Sequence, residues 1–266
     1  MAEPIAWDPR GVLHPQTVQG PCQVWRFAPC QQLADTLAHI WAVAWDLRGQ
    51  APLTRETLPH PSVHAVIEDG RSGVSGVTTK RFTRTLEGQG WVLGLKFHPG
   101  CFQPFSPLPV AELTDRVLGL REGLGDDGDQ LEDAVLACRN DVRAAAERAE
   151  AFLLARLREP DPQTQLARRI VRRILEDPEL TRAQAVADAT GVGLRTLQRL
   201  FKDYVGVSPK WVIQRYRLHE AVARLDAGAA VDLPALALEL GFYDQAHFTR
   251  QFKALVGRPP SSYAGS

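Results

Sequence analysis

The sequence has few of the features that would assign it to a membrane, a secretory or a zinc-binding class. No apolar run approaches the roughly 20 residues that a membrane-spanning helix needs. Met1–Pro4 shows no basic start followed by an apolar stretch, so we expect no secretory leader, no membrane partner and a cytoplasmic location. The four cysteines, at positions 22, 30, 101 and 138, form no CxxC pair and lack zinc-ligand spacing, which indicates scattered reduced thiols.

Signatures of the common enzyme classes are also missing. We find no P-loop, no dinucleotide fingerprint and no nucleophile–base pairing. His60, His64 and His98 raise the question of a metal site, but no HxH pair occurs and no glutamate follows at short spacing. We therefore expect core or turn histidines, no cofactor and no catalytic residue.

Charge is balanced over the chain but divided between its halves. The 31 Lys and Arg residues equal the 31 Asp and Glu residues, which by itself argues against a nucleic-acid partner. Residues 161–266 contain 15 basic and 11 acidic residues, a net charge of +4, and residues 1–160 have a net charge of −4. This asymmetry is a weak indication that the second half binds DNA.

The first hundred residues are predicted to be mostly strand, interrupted by glycine and proline. The predicted strands, all rich in Val, Trp, Phe or Thr, are Cys22–Phe27, Val63–Glu68, Gly73–Thr79 and Trp91–Phe97. The spacing of apolar residues predicts a helix over Leu33–Trp45. The basic run Lys80-Arg81-x-x-Arg84 is typical of a solvated strand face or of a contact to an anionic effector.

A helical period returns over Gln130–Glu159, where an apolar stripe is predicted to pack either on its own domain or on a partner's helix. Pro160-Asp161-Pro162 ends this stretch, because proline lacks the amide donor and disfavours helix just before it. We place a domain boundary there, between residues 1–160 and residues 161–266. The first helix of the second domain begins at about Gln165, with an apolar face that includes Leu175.

The second half contains an internal repeat. At an offset of 50 residues, Val186-Ala187 matches Leu236-Ala237 and Gly191 matches Gly241. The later matches have an offset of 51: Leu197 with Phe248, Arg199 with Arg250, Phe201-Lys202 with Phe252-Lys253, Val205-Gly206 with Val256-Gly257, and Pro209 with Pro260.

Each copy fits a helix-turn-helix unit, over residues 181–204 and 231–255. An alanine lies where the two helices approach, a glycine four residues later permits positive φ in the turn, and an apolar anchor follows in the second helix. The exposed face of each second helix is polar and basic, which suits base edges and phosphates, although a helical bundle with a polar surface has the same pattern. The predicted DNA-binding residues are Arg195, Thr196, Gln198, Arg199, Lys202, Gln245, His247, Thr249, Arg250 and Lys253.

A bridging helix is predicted between the two copies. Ser208 is a good N-cap, Pro209 suits the first helical position, and Gly228 ends the helix. Such a spacer fixes the two recognition helices relative to each other, and successive major grooves on one face of DNA lie about 34 Å apart.

Two segments, RTLQRLFKDYVGVSPKWVIQRYRLHEAVARL and ALALELGFYDQAHFTRQFKALVGRPPSSY, resemble the DNA-binding domain of the AraC family of transcription regulators over roughly residues 165–264. The resemblance includes Gly241-Phe242 and the G-x-x-P-x-x-Y motif from Gly257 to Tyr263. It implies a regulator of double-stranded promoter DNA. The implied base-contacting positions are Arg195, Gln198 and Arg199 in one recognition helix, and Gln245, His247 and Arg250 in the other. Gly193 departs from the family's capping serine, whereas Asp244 caps the second helix competently.

The first half is similar, more loosely, to the cupin-like sensor domains that precede such units. This similarity implies a small-molecule effector or a homodimer, and it names no ligand. The expected fold class is therefore α+β: a mostly-β, cupin-like N-terminal domain with helices, followed by an all-α domain of two helix-turn-helix units. The alternative is a cupin-type metal enzyme, or a DNA-repair methyl-acceptor protein, fused to a DNA-binding domain.

Overall fold

The computed structural model describes residues 3–5, 21–159, 161–227 and 231–263. A β-rich part (residues 3–159) precedes a helical part (residues 161–263), which confirms the predicted α+β class. The strands are β1 (Glu3–Pro4), β2 (Cys22–Ala28), β3 (Leu37–Asp46), β4 (Leu53–Thr57), β5 (His64–Ile67), β6 (Gly73–Ser75), β7 (Phe82–Leu86), β8 (Gln89–Phe97) and β9 (Val117–Leu118). They form an antiparallel seven-stranded sheet in the order β1-β2-β3-β8-β5-β6-β9 and a two-stranded sheet of β4 and β7.

Helices follow the sheet and make up most of the second part. They are α1 (Leu120–Leu124), α2 (Gly128–Leu136), α3 (Val142–Arg156), α4 (Pro162–Glu176), α5 (Ala183–Thr190), α6 (Leu194–Leu200), α7 (Pro209–Asp226), α8 (Leu233–Glu239), α9 (Gln245–Val256) and α10 (Pro260–Tyr263). A π-helical turn over Phe201–Val205 extends α6. No helix in the described part of the chain has the length and apolar character to cross a membrane.

The helix predicted over Leu33–Trp45 is wrong, because Leu37–Asp46 is the strand β3, paired with β2 and β8. Its side chains alternate between two buried faces. Ile40 and Ala42 lie in the main core of the β-rich part, whereas Trp45 lies in a second apolar cluster on the other face. A strand that is covered on both faces has a nearly continuous apolar sequence, which periodicity alone does not distinguish from a buried helix.

The other strand predictions are largely confirmed. Cys22–Phe27 lies within β2, Val63–Glu68 contains β5, and Trp91–Phe97 lies within β8. The strand predicted over Gly73–Thr79 is too long, because β6 ends at Ser75 and the chain then leaves the sheet.

Gln130–Glu159 forms two helices rather than one. Asp141 caps α3 by accepting from the main-chain N–H groups of Arg143 and Ala144, so the helix begins anew there. Ala145, Ala149 and Leu153 of α3 are fully buried in the core of the β-rich part. The apolar stripe therefore packs on its own chain, which decides between the two predicted alternatives.

The break between the two parts lies at α4. Asp161 caps this helix and Pro162 is its first residue, while Pro160 lies outside the described residues. The domain boundary at 160/161 stays a prediction. Ile170, Val171 and Ile174 of α4 are buried, but Leu175, which was predicted to lie on the apolar face, is 56% exposed. One residue past Ile174, the helical turn of about 100° takes its side chain off the buried face.

Close packing at a glycine gives a test of the sheet. A Cβ atom on Gly94 of β8 would overlap the indole ring of Trp41 on β3. We expect Gly94→Ala to lower the free energy of unfolding by about 1–3 kcal/mol in urea denaturation, because the ring must move. Gly119→Ala is the control, since its Cβ would meet open space at a φ of −58° and should change stability by less than about 0.5 kcal/mol. Equal stability of the two variants would contradict this packing.

Candidate nucleic-acid interface

The first helix-turn-helix unit consists of α5 and α6. Gly191 follows α5 with a φ of 67°, the left-handed conformation predicted for it. The N–H of Val192 donates to the carbonyl oxygen of Ala187 at 3.2 Å and closes the turn. Ala187 is buried in the cluster that also contains Leu197, so a small residue lies at the approach of the two helices.

The second unit, of α8 and α9, repeats this turn. Gly241 has a φ of 74°, and the N–H of Phe242 donates to the carbonyl oxygen of Ala237 at 2.9 Å. Ala237 is fully buried, as its counterpart in the first unit nearly is. The same hydrogen bond at equivalent positions confirms that the repeat seen in the sequence is a structural repeat.

Large apolar anchors fix the second helix of each unit. Leu197 and Phe201 are fully buried in the first unit, and Phe248 and Phe252 are fully buried in the second. The rings of Phe248 and Phe252 have centroids 5.7 Å apart in an edge-on arrangement. Because these anchors point inward, the opposite face of each recognition helix points to solvent.

The bridging helix is α7. Ser208 caps it by accepting from the N–H of Trp211 at 3.2 Å, and Pro209 is its first residue, as predicted. Its 18 residues correspond to a length of about 27 Å. The predicted end at Gly228 lies outside the described residues, and α7 ends at Asp226. The helix buries an apolar stripe that consists of Val212, Ile213, Tyr216, Ala221, Val222 and Leu225.

Most of the predicted DNA-binding side chains lie on the exposed face of the recognition helices. The exposed ones are Arg195, Thr196, Gln198, Arg199, Lys202, Gln245, Arg250 and Lys253. His247 and Thr249 are half-buried. The ring of His247 packs edge-on against Phe242 at a centroid distance of 5.6 Å, so part of this imidazole serves the fold.

The arginines of this surface form no ion pair in the described chain, although Asp203, in the π-helical turn after α6, lines the same groove as Arg199. α6 and α9 contain no Asp or Glu. In the described chain, Arg195, Arg199 and Arg250 have no carboxylate partner, whereas Arg172 of α4 forms an ion pair with Glu176 at 2.7 Å. The recognition helices therefore present unpaired positive charge, which is what phosphates and base acceptors require.

Two further residues join this surface and were missed in the sequence. Tyr243 is 89% exposed directly before the cap of α9. Gln163, at the start of α4, lines a groove of about 250 Å³ together with Thr196 and Arg199 of α6. An aromatic residue beside an N-cap was a visible signal for Tyr243, but nothing in the sequence connects Gln163 with residues some thirty positions later.

His60, His64 and His98, the three histidines considered as metal ligands, lie outside this surface. His64 accepts from the indole N–H of Trp41 at 3.3 Å, and burial lowers its pKa to about 3. The ring of His60 packs edge-on against His219 at 4.3 Å. The main-chain N–H of His98 donates to the carbonyl oxygen of Thr36. The described residues contain no group of three or more His, Cys, Asp or Glu side chains that could hold a metal ion.

The basic run after β6 is not a solvated strand face throughout. Arg84 forms an ion pair with Glu68 at 2.5 Å. Arg81 donates to the carbonyl oxygen of Val256, at the end of α9, at 3.3 Å. Only Lys80 and part of Arg81 face solvent in the way that the pattern predicts.

The caps of the two recognition helices differ, and this difference can be tested. Gly193 makes no side-chain cap on α6, whereas Asp244 Oδ1 accepts from the N–H of His247 at 2.6 Å and caps α9. We expect Asp244→Ala to destabilise the protein by about 0.5–2 kcal/mol and Gly193→Ser to stabilise it by a few tenths of a kcal/mol. Thermal and urea unfolding measure both changes. An Asp244→Ala variant as stable as the wild type would show that this hydrogen bond does not contribute.

Comparisons with known proteins agree with the two-part organisation. Residues 186–266 match a family described as a helix-turn-helix domain, and residues 25–119 match a domain of unknown function, DUF6597. The HTH-type transcriptional activator RhaS of Pectobacterium carotovorum is 35% identical over 78 residues, which are 29% of this chain and 28% of RhaS. RhaS of Pectobacterium atrosepticum is 35% identical over 77 residues, 29% of this chain and 27% of that protein. The chain thus matches less than a third of the length of these relatives.

Solved structures with some similarity include the C-terminal domain of AraT from Geobacillus stearothermophilus, at 21% identity and a TM-score of 0.35, covering 41% of this chain and 88% of that one. ToxT from Vibrio cholerae has 12% identity and a TM-score of 0.36, covering 92% of this chain and 97% of ToxT. TM-scores this low add nothing to the assignment. The family match, the repeated turn and the buried anchors together show that the C-terminal part of this chain is a helix-turn-helix domain with two units.

Proposed function

We propose that the protein is a sequence-specific DNA-binding transcription regulator that contacts two successive major-groove segments with α6 and α9. The observation that carries the proposal is a pair of equivalent recognition helices, each free of acidic residues and each anchored inward by a buried apolar pair. Both units pack on α7, whose length of about 27 Å suits recognition helices that must lie about 34 Å apart.

The direction of regulation is proposed from the relatives. Both RhaS proteins are described as transcriptional activators, and each is 35% identical to this chain over 77 or 78 residues. We therefore propose that this protein activates transcription from the promoters to which it binds.

The burial of Cys101 bears on the alternative function of a DNA-repair methyl acceptor. A methyl-accepting cysteine needs a thiolate, and thiolates are favoured by nearby cations and solvent. Cys101 is 3% exposed, and burial raises the pKa of its thiol to about 12. Burial thus disfavours the thiolate of Cys101 and argues against this cysteine as the methyl acceptor, whereas Cys30 and Cys138 are half-buried.

We also propose that a small molecule bound in the β-rich part controls the protein. An open cavity of about 910 Å³ lies at the end of the main sheet, lined by residues that include Trp45, Trp91, Arg84 and Arg139. Trp91 Nε1 and Arg84 Nε are buried nitrogen atoms without a hydrogen-bond partner in the described chain. Buried donors are normally paired, so a ligand with hydrogen-bond acceptors and a ring that stacks on tryptophan would satisfy them once the two side chains turn towards the cavity.

The arginines of the recognition helices give the test of DNA reading. An arginine that contacts guanine O6 and N7 contributes roughly 1–3 kcal/mol of discrimination between bases. We expect Arg199→Ala to relax base preference in one half of the site and Arg250→Ala to relax it in the other. Lys202→Ala and Lys253→Ala should weaken binding to all sequences by similar factors, because phosphate contacts do not distinguish bases. Selection of bound sequences from a random pool measures both effects.

The control for this experiment is Arg172→Ala, which removes an exposed arginine that is ion-paired on α4. This variant should return the wild-type motif. If Arg199→Ala and Arg250→Ala also return the wild-type motif, the two arginines are not base readers. If the wild type selects no sequence at all, the proposed function itself fails.

The cavity can be tested through Trp91. We expect that thermal-shift screening with monosaccharides, sugar phosphates and small carboxylic acids finds a compound that raises the melting temperature by at least about 2 °C at saturation. Trp91→Phe should abolish this shift, because it removes the unpaired indole N–H. Trp25→Phe, which does not line the cavity, is the control. A shift that survives Trp91→Phe would place the ligand elsewhere.

A further inference from the structure

The β-rich part contacts both helix-turn-helix units at equivalent points of the repeat. Gly206 follows the first recognition helix and its π-helical turn, and Gly257 follows the second, with φ values of 87° and 91°. Thr114 Oγ1 donates to the carbonyl oxygen of Gly206 at 2.7 Å. Arg81 Nη1 donates to the carbonyl oxygen of Val256, one residue before Gly257, at 3.3 Å. One hydrogen bond from the β-rich part therefore reaches the end of each recognition helix.

Both turns favour glycine for conformation, and at Gly206 the packing also leaves little space for a side chain. A positive φ is costly for other residues. A Cβ atom on Gly206 would lie 2.9 Å from Thr114 Oγ1 and 3.0 Å from Val110 Cγ1, and one on Gly257 would overlap the guanidinium of Arg81. The close approach of the β-rich part to the first unit thus depends on Gly206.

The β-rich part also completes both apolar cores. Val77 is fully buried in the cluster of the first unit, and Leu58 is 2% exposed in the cluster of the second. Between these two points, Arg215 of α7 donates to the carbonyl oxygen of Thr79 at 2.7 Å. Within residues 77–81, which we call the crossing segment, Val77, Thr79 and Arg81 therefore contact the first unit, the bridging helix and the second unit in turn.

Asp115 holds the crossing segment in place. Its carboxylate accepts from the N–H of Thr79 at 2.7 Å and from the hydroxyl of Thr79 at 2.5 Å. Its own N–H donates to the carbonyl oxygen of Val77 at 3.0 Å. Asp115 has a φ of 58°, the one non-glycine residue with a positive φ in the described ranges, and it directly follows Thr114. A residue held in this sparsely populated conformation indicates a local geometry that the surroundings enforce.

We propose that the crossing segment, Thr114 and Asp115 are positioning residues that set the distance between the two recognition helices and thereby the half-site separation that the protein prefers. This inference rests on the proposed function, because it concerns how DNA is read. The chemical partner is a duplex with two half-sites at one fixed separation. Loosening the contacts should alter the preferred separation rather than the bases that are recognised.

The test is selection by the full-length protein from duplexes in which the two half-sites are separated by different numbers of base pairs. The wild type should prefer one separation. Thr114→Val removes one hydroxyl with little change of shape, and Asp115→Gly removes the carboxylate while permitting the positive φ. The wild type's preference for its best separation, relative to separations one base pair longer or shorter, should fall about three- to tenfold in each variant, because a hydrogen bond is lost.

Thr54→Val is the matched control, since Thr54 lies on β4 outside the crossing segment and its hydroxyl contacts the exposed Thr85 hydroxyl at 3.2 Å. It should keep the wild-type preference. If Thr114→Val and Asp115→Gly also keep that preference, the proposal is overturned. If the base motifs stay unchanged while a wider range of half-site separations is accepted, the result supports a positioning role. A general loss of stability would not produce this combination.

Hydrogen exchange without DNA separates this proposal from the proposed function. The N–H groups of Gly206 and Gly257 donate to Phe201 and Lys253 at 2.8 Å within the two helix ends. Thr114→Val should speed exchange at Gly206, and Asp115→Gly should speed it at both glycines, by about three- to tenfold. Unchanged exchange overturns the positioning role even if DNA binding fails. If exchange is faster in the variants but the protein selects no DNA, the contacts are supported and the proposed function is contradicted.

Discussion

The enclosure of α7 is the constraint on which the positions of both recognition helices depend. Its first half packs on the first unit through Val212 and Tyr216, and its second half packs on the second unit through Ala221 and Leu225. On a further face Arg215 is buried, and its guanidinium donates to a main-chain carbonyl of the β-rich part. Burying a cation is costly unless it is hydrogen-bonded, so this bond favours the rotation of α7 that keeps the guanidinium at Thr79.

The protonation state of His219, a residue of α7, is consistent with the enclosure of this helix. His219 lies in contact with Pro59 and His60, and burial, with smaller contributions from Arg215 and other charges, lowers its pKa to about 3. The imidazole is therefore neutral near pH 7. Because Nε2 faces the carbonyl oxygen of Pro59 at 3.1 Å, the neutral ring must hold its hydrogen on Nε2. A neutral donor can lie beside the Arg215 cation without the repulsion that an imidazolium would add.

Features governed by local rules could be predicted from the sequence, and features that depend on distant contacts could not. The glycine turns, the caps by Ser208 and Asp244 and the inward anchors follow from residue type and spacing alone, and the structure contains them. β3 was mistaken for a helix because burial on two faces hides the alternation of a strand. Nothing near Leu58 or Val77 in the sequence signals that these residues complete helix-turn-helix cores more than 100 positions later.

The two units are equivalent in sequence, yet the β-rich part holds them differently. The first is held by a threonine hydroxyl, a short side chain with one rotatable bond, at 2.7 Å. The second is held by an arginine at 3.3 Å, whose side chain is 37% exposed and also forms an ion pair with Glu56. A long side chain loses more conformational entropy when it is fixed, so its hydrogen bond restrains the partner less. The first recognition helix is therefore tied more firmly to the β-rich part than the second. A rearrangement of that part would therefore move α6 more than α9, and would change the relation between the two helices in that way.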